Sequence, residues 1–164
     1  MELRAFVAEA KKNTYPVSEG VTLPDGAREL VYESGIFRYR DRYYGSTSFV
    51  GQEIVWQDGV PVWAMNYHGG IYERFRAHID VPELIAFLKS VLREVPQGRP
   101  FRGLESFAQG NFVYHNWAYG PFPHFRGHEM IAWCGEARGP LSSRGSVLYR
   151  LVYHGGYVGD RGLG

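Results

Sequence analysis

Sulfur, lysine, long apolar runs and an excess of either charge are all scarce in this 164-residue chain. The single cysteine, Cys134, rules out an intrachain disulfide framework. No apolar run approaches the ~20 residues that a membrane-spanning helix needs. The first ten residues carry acids and lack a secretory signal's apolar stretch, so a soluble cytoplasmic protein is the expectation, with no membrane partner. With 18 Lys+Arg against 17 Asp+Glu, the net charge of +1 argues against a bulk nucleic-acid binder. Phosphate loops, dinucleotide fingerprints, HExxH helices and nucleophile elbows are absent. Aromatic residues are abundant, at 16%, and there are 21 glycines. A chain of this size buries roughly 68–70% of its unfolded surface, enough to fold without disulfides or structural metal. One domain over residues 1–164 is expected.

Self-similarity organises that domain. The stretch from Gly35 to Gly45 lies over the stretch from Gly110 to Gly120 without a gap, matching Gly, Phe, Tyr, Tyr and Gly. One residue is then inserted, and Phe49-Val-Gly51-Gln-Glu53 lies over Phe125-Arg-Gly127-His-Glu129. Tyr67-His68-Gly69-Gly70 and Tyr153-His154-Gly155-Gly156 match outright. Upstream, Leu3 to Val7 resembles Leu84 to Leu88. Each copy, about 1–72 and 80–158, reads as a helix followed by four strands.

The second helix is the clearer one, with Leu84, Leu88, Val91 and Leu92 on an apolar stripe, Asp80 as N-cap and Pro82 in the first turn. The first helix spans about Leu3 to Lys12, with Phe6, Val7 and Ala10 on its apolar face. In the strands the period falls to two, as in the alternation of Phe37, Tyr39, Asp41 and Tyr43 with Arg38, Arg40 and Arg42. Asp58-Gly59 predicts a type I′ hairpin, and Cys134 to Gly145 a longer loop. The expected fold class is α+β: αββββ twice, mainly antiparallel, with pseudo-twofold symmetry, the sheets either joined or packed face to face.

Residues two apart share a strand face. Glu53 and Glu129 therefore lie on the side that otherwise reads as core. A buried carboxylate must pair, accept hydrogen bonds, stay protonated or line a wet cavity. Tyr39 and Tyr67 in one copy, and Tyr114 and Tyr153 in the other, are the available donors, and Asp41 and Asn116 occupy equivalent places on the same ribbon face. If the copies face one another, these eight residues converge on a polar centre lined by Phe37, Trp63, Met65, Phe112 and Tyr149. That is the pattern of a small-molecule site. The alternative is a structural device, each Glu fixing strand register and duplicated with its unit.

Weaker signals are read conservatively. The Gly-Gly pairs predict strand exit turns. His68 and His154 lie opposite the tyrosine face, so no metal site is expected. Arg38, Arg40 and Arg42 read as a solvated strand face, which again argues against nucleic acid. No cofactor is indicated, and the exposed aromatics leave a homo-oligomer open.

With these residues in view, the chain resembles the bacterial family DUF5680, of unknown function. The resemblance rests on Tyr39-x-Asp41-x-x-Tyr44-Gly45, Phe49-x-Gly51-x-Glu53, the segment Pro61-Val-Trp63-Ala-Met65-Asn66-Tyr67-His68-Gly69, and Tyr153-His154-Gly155-Gly156. It covers about Glu29 to Val158. Members of that family stand alone or follow helix-turn-helix domains, which implies a sensing role but supplies no catalytic residues. Three readings follow: a non-catalytic small-molecule binding domain with its pocket between the repeats; a hydrolase- or lyase-type enzyme using Glu53 and Glu129 as general acid and base; and a purely structural or interaction protein.

Overall fold

The computed structural model describes residues 1–142 and 145–159; residues 143 and 144, in the loop expected between Cys134 and Gly145, and residues 160–164 lie outside it. Helix α1 (Leu3–Lys12) leads into strands β1 (Val21–Thr22), β2 (Arg28–Ser34), β3 (Phe37–Gly45), β4 (Ser48–Gln57) and β5 (Val60–Ile71). A short helix α2 (Glu73–Arg76) and the longer α3 (Val81–Arg93) follow. The chain then adds β6 (Ser106–Gln109), β7 (Phe112–Tyr119), β8 (His124–Trp133) and β9 (Val147–Tyr157). All nine strands join one antiparallel sheet in the order β1-β2-β3-β4-β5-β9-β8-β7-β6. The sheet is therefore continuous, with β5 and β9 paired at its centre.

Local chemistry accounts for the elements. Asp80 caps α3, its carboxylate accepting from the Glu83 N–H at 3.0 Å, with proline in the first turn. The turn between β4 and β5 has positive φ at both Asp58 (48°) and Gly59 (78°), as its sequence predicts. On β3 the side chains Phe37, Tyr39 and Asp41 are buried while Arg38 is exposed. The outer face carries the arginines as a laced surface: Arg42 pairs with Glu29, Arg38 with Glu33, and both Arg38 and Arg40 lie over the Trp56 ring.

The Gly-Gly pairs differ from expectation. They are not exit turns, for β5 runs on to Ile71 and β9 to Tyr157. A Cβ at Gly69 would strike the Arg150 carbonyl, and one at Gly155 the Ala64 carbonyl. The glycines let the two central strands approach each other closely.

One hydrophobic core fills the space between the inner sheet face and α1 and α3. Phe6, Val7 and Ala10 enter it from α1, and Leu84, Phe87, Leu88 and Val91 from α3. The segment after α3 contributes Phe101, whose ring stacks on Phe125 with centroids 3.9 Å apart. Trp63 stacks on Phe122 and Phe125 nearby. The same segment brings Arg102 into the interior.

Candidate functional site

Five ionisable side chains of opposite sign are buried on the inner sheet face: Lys11, Asp41, Glu53, Arg102 and Glu129. They divide into two arrangements with different degrees of closure.

Around Glu129 every oxygen is engaged. Arg102 donates through Nε to Oε2 at 3.0 Å and through Nη2 to Oε1 at 2.7 Å. Tyr114 adds a bond to Oε2 at 2.6 Å and Tyr149 one to Oε1 at 2.8 Å. Burial on its own would push the Glu129 carboxyl up; the Arg102 charge and these donors outweigh it and hold the group below its ordinary value. Asn116, opposite Glu129 in the ladder, accepts from Tyr153 at 2.9 Å and donates to the Gly103 carbonyl at 3.2 Å. Both Glu129 oxygens are thus taken up by protein donors.

The arrangement around Asp41 and Glu53 is open. These two carboxyls sit directly opposite each other on β3 and β4. Lys11 reaches in from α1, its Nζ 2.7 Å from Glu53 Oε2, an ion pair at hydrogen-bonding distance. The same ammonium donates to the Phe101 carbonyl at 2.5 Å. Burial lowers the Lys11 pKa, with Glu53 pulling against it. Among the described residues Asp41 receives a single hydrogen bond, from Tyr67 at 2.7 Å. Its carboxyl is pushed up to about 7, first by burial and next by the Glu53 charge. Tyr39 and Tyr67 are raised well above their ordinary values, chiefly by burial. The Tyr39 hydroxyl makes no hydrogen bond among the described residues.

These groups form the floor of a cavity of about 320 Å³. Its walls are apolar residues of α3, including Val81, Ile85 and Leu88, together with Phe49 and Phe101. Glu19, Arg28 and Lys89 also line it; Glu19 is exposed and pairs with both cations.

Of the eight residues expected from sequence, Tyr39, Asp41, Glu53 and Tyr67 line this cavity; Tyr114, Asn116, Glu129 and Tyr153 do not. The cavity lies between the sheet and the helices. Phe37, Trp63, Met65, Phe112 and Tyr149, expected to line a centre between the copies, pack in the core outside it. Sequence reasoning missed Lys11 and Arg102, and it read Tyr149 only as apolar lining. Lys11 could have been found as a lysine four residues after Val7 on the buried stripe of α1; Arg102 sits in an irregular segment that carries no periodic signal.

His68 and His154 are exposed, on the face away from Glu53 and Glu129. Among the described residues no group of three or more His, Cys, Asp or Glu side chains could hold a metal ion. Cys134 is exposed and free. No described helix is long and apolar enough to cross a membrane.

An antiparallel sheet backed by helices, with a half-open polar floor beneath them, defines an α+β domain with a cavity. Comparison with known families gives that class a name: the domain of unknown function DUF5680 matches residues 41–158, and the chain belongs to this family. No curated protein and no solved structure matches.

Proposed function

We propose that this chain is a non-catalytic small-molecule binding domain with a sensing role, its ligand held in the cavity between the β3–β5 face and helices α1 and α3. One observation carries the reading: two buried carboxyls face each other on the cavity floor, with Lys11 the single cation paired with either among the described residues. Burying such groups costs free energy unless they are paired or solvated. The Glu129 arrangement meets that cost with four donated hydrogen bonds, whereas the Asp41 side leaves an acceptor and the Tyr39 hydroxyl free for a guest. A cavity of this size, with apolar walls and a few convergent polar groups, has the chemistry of a ligand pocket.

The chain is further read as a duplicated helix-plus-strands unit with an approximate two-fold axis between β5 and β9. The strand order supports this reading, being symmetric about that pair apart from β1. Backbone angles support it too: φ is 59° and 58° at Gly35 and Gly110, 91° and 89° at Gly45 and Gly120, and 152° and 155° at Gly70 and Gly156. In this view one copy closed its polar cluster with Arg102 and the other kept its cluster open.

A second reading, acid–base catalysis, is favoured by the Asp41 carboxyl itself, since a group poised near 7 beside a second carboxyl suits proton transfer at neutral pH. The pair in that case is Asp41 and Glu53, because Glu129 is engaged by Arg102. Binding is preferred, because the sequence carries no recognised catalytic motif.

The test is a thermal-shift screen against a metabolite and metal library, run on wild type, the double variant Asp41→Asn/Glu53→Gln, and Ile85→Trp, which fills the cavity from α3. A native-state ligand at 100 times its Kd stabilises by about 2.7 kcal/mol. Hits on wild type that vanish in both variants are expected. Hits that persist unchanged in both would sink the proposal.

A further inference from the structure

We infer that the ligand is an organic monocation, an amine with an apolar body, whose ammonium lies against Asp41 and Glu53. The inference rests on the binding reading above and adds the ligand's charge and shape.

A count of the buried charges leads to it. The inner face holds two cations, Lys11 and Arg102, against three carboxyls, Asp41, Glu53 and Glu129. Arg102 is committed to Glu129 through both oxygens, and Lys11 contacts Glu53 and the Phe101 carbonyl. One carboxyl, Asp41, is left with only a neutral donor, Tyr67. Among the described residues no cation is hydrogen-bonded to it: β2 places Leu30 opposite it, β3 adds Tyr39 and Tyr43, β4 adds Glu53, the segment after α3 adds Arg102, which is committed to Glu129, and α3 adds apolar side chains and Lys89. Lys89 of α3 and Arg28 of β2 are both drawn to Glu19. With Asp41 ionised, the cavity floor itself, apart from the rim where Arg28 and Lys89 share Glu19, is one negative charge in excess, and a guest cation neutralises it. An anion meets two carboxyls; a neutral guest leaves the imbalance in place.

The other half of the sheet serves as an internal comparison. Opposite Glu129 stands Asn116, which carries no charge and is bonded on both sides; of that cluster Arg102 alone reaches the cavity, and it is committed to both Glu129 oxygens. Among the described residues, the buried carboxyl that meets the cavity without a hydrogen-bonded cation is Asp41.

Shape selects an organic cation over a metal ion. No third carboxylate, imidazole or thiol joins Asp41 and Glu53 among the described residues, and the α3 wall facing them is largely hydrocarbon, with Val81, Ile85 and Leu88. The aromatic side chains Tyr39, Tyr67 and Phe49 line the same space, and aromatic rings suit a desolvated ammonium. Because Asp41 is shared between its acid and carboxylate forms near pH 7, the amine draws it to the carboxylate and a proton is released on binding.

The experiment is calorimetric titration with butylamine, 2-phenylethylamine and tryptamine, each against its neutral alcohol, with phenylacetate as the anion. Each is measured at pH 6 and pH 8.5, and at pH 7 in two buffers of different ionisation enthalpy. Wild type is compared with Asp41→Asn and Ile85→Trp. At least one amine binds 10-fold or more tighter than its alcohol, more tightly at pH 8.5 than at pH 6, and with proton release at pH 7; Asp41→Asn removes the preference and the proton release, and Ile85→Trp removes binding. Alcohols or phenylacetate binding as well as the amines, with loss in Ile85→Trp, overturn the cation assignment and leave the cavity reading standing. Binding that is insensitive to Ile85→Trp overturns both, and binding of no amine by wild type overturns the cation assignment.

Discussion

Tyr67 donates a 2.7 Å hydrogen bond to Asp41 across an intervening strand, and it can do so because the residue beneath its ring is Gly51. Tyr67 belongs to β5 and Asp41 to β3, with β4 between them. A Cβ at Gly51 would occupy the position of the tyrosine's Cζ and hydroxyl. Tyr153 crosses Gly127 to reach Asn116 in the same way. The Gly-x-Glu pattern of β4 and β8 is therefore a packing device: the glycine admits the tyrosine ring, and two residues on the glutamate enters the polar cluster.

Gly51→Ala is expected to destabilise the fold by about 1–3 kcal/mol, the usual cost of overpacking, and to break the Tyr67 to Asp41 bond. Urea denaturation measures the first, and loss of proton protection at the Tyr67 hydroxyl the second. A variant of wild-type stability with the bond intact would show that the ring has room to move aside. Gly127→Ala repeats the test on the Tyr153 to Asn116 bond, away from Asp41 and Glu53.

Stability depends on pH through Asp41. Its folded carboxyl titrates at about 7, above the value of about 3.9 for an unfolded aspartate, so between these limits the folded state binds more protons. The resulting stabilisation is full below the unfolded pKa and is lost as pH rises through 7. Asp41→Asn removes this slope, so the variant is expected to gain on wild type between pH 5 and pH 8.5. Urea-derived stabilities at both pH values check this; equal slopes in the two proteins would contradict it.

The Glu129 cluster behaves oppositely. Glu129→Gln leaves the Arg102 guanidinium buried without its counter-charge, a change that costs about 3–5 kcal/mol. Replacing both, as Glu129→Gln with Arg102→Met, removes the stranded charge and is expected to cost less than the single change. A double-mutant cycle by denaturation measures the coupling. Additive effects would mean that the pair contributes no specific interaction.

Much of this fold could be read from the chain because its signals are periodic. Alternation on β3, the Asp58-Gly59 turn, the apolar stripe of α3 and the Asp80 cap are local patterns with local causes, and each element forms where its pattern lies. The inward placement of Glu53 and Glu129 was legible for the same reason. Their different fates were not. Arg102 lies in an irregular segment 27 residues before Glu129, and Lys11 arrives from a helix at the other end of the chain; which cation meets which carboxylate is decided by how α1 and the segment after α3 pack on the sheet. The Gly-Gly pairs were misread because dipeptide chemistry alone does not separate an exit turn from a close approach between paired strands.

The central claim is that Asp41 is a buried carboxyl without a committed counter-cation on the floor of an open cavity, and its titration tests this most directly. Carbon-detected NMR of side-chain carboxyls, with Asp41→Asn to assign the resonance, is expected to show Asp41 titrating near 7 in the free protein and shifting well below that when an amine occupies the cavity. A carboxyl that titrates in the ordinary aspartate range, with or without guest, would contradict the account.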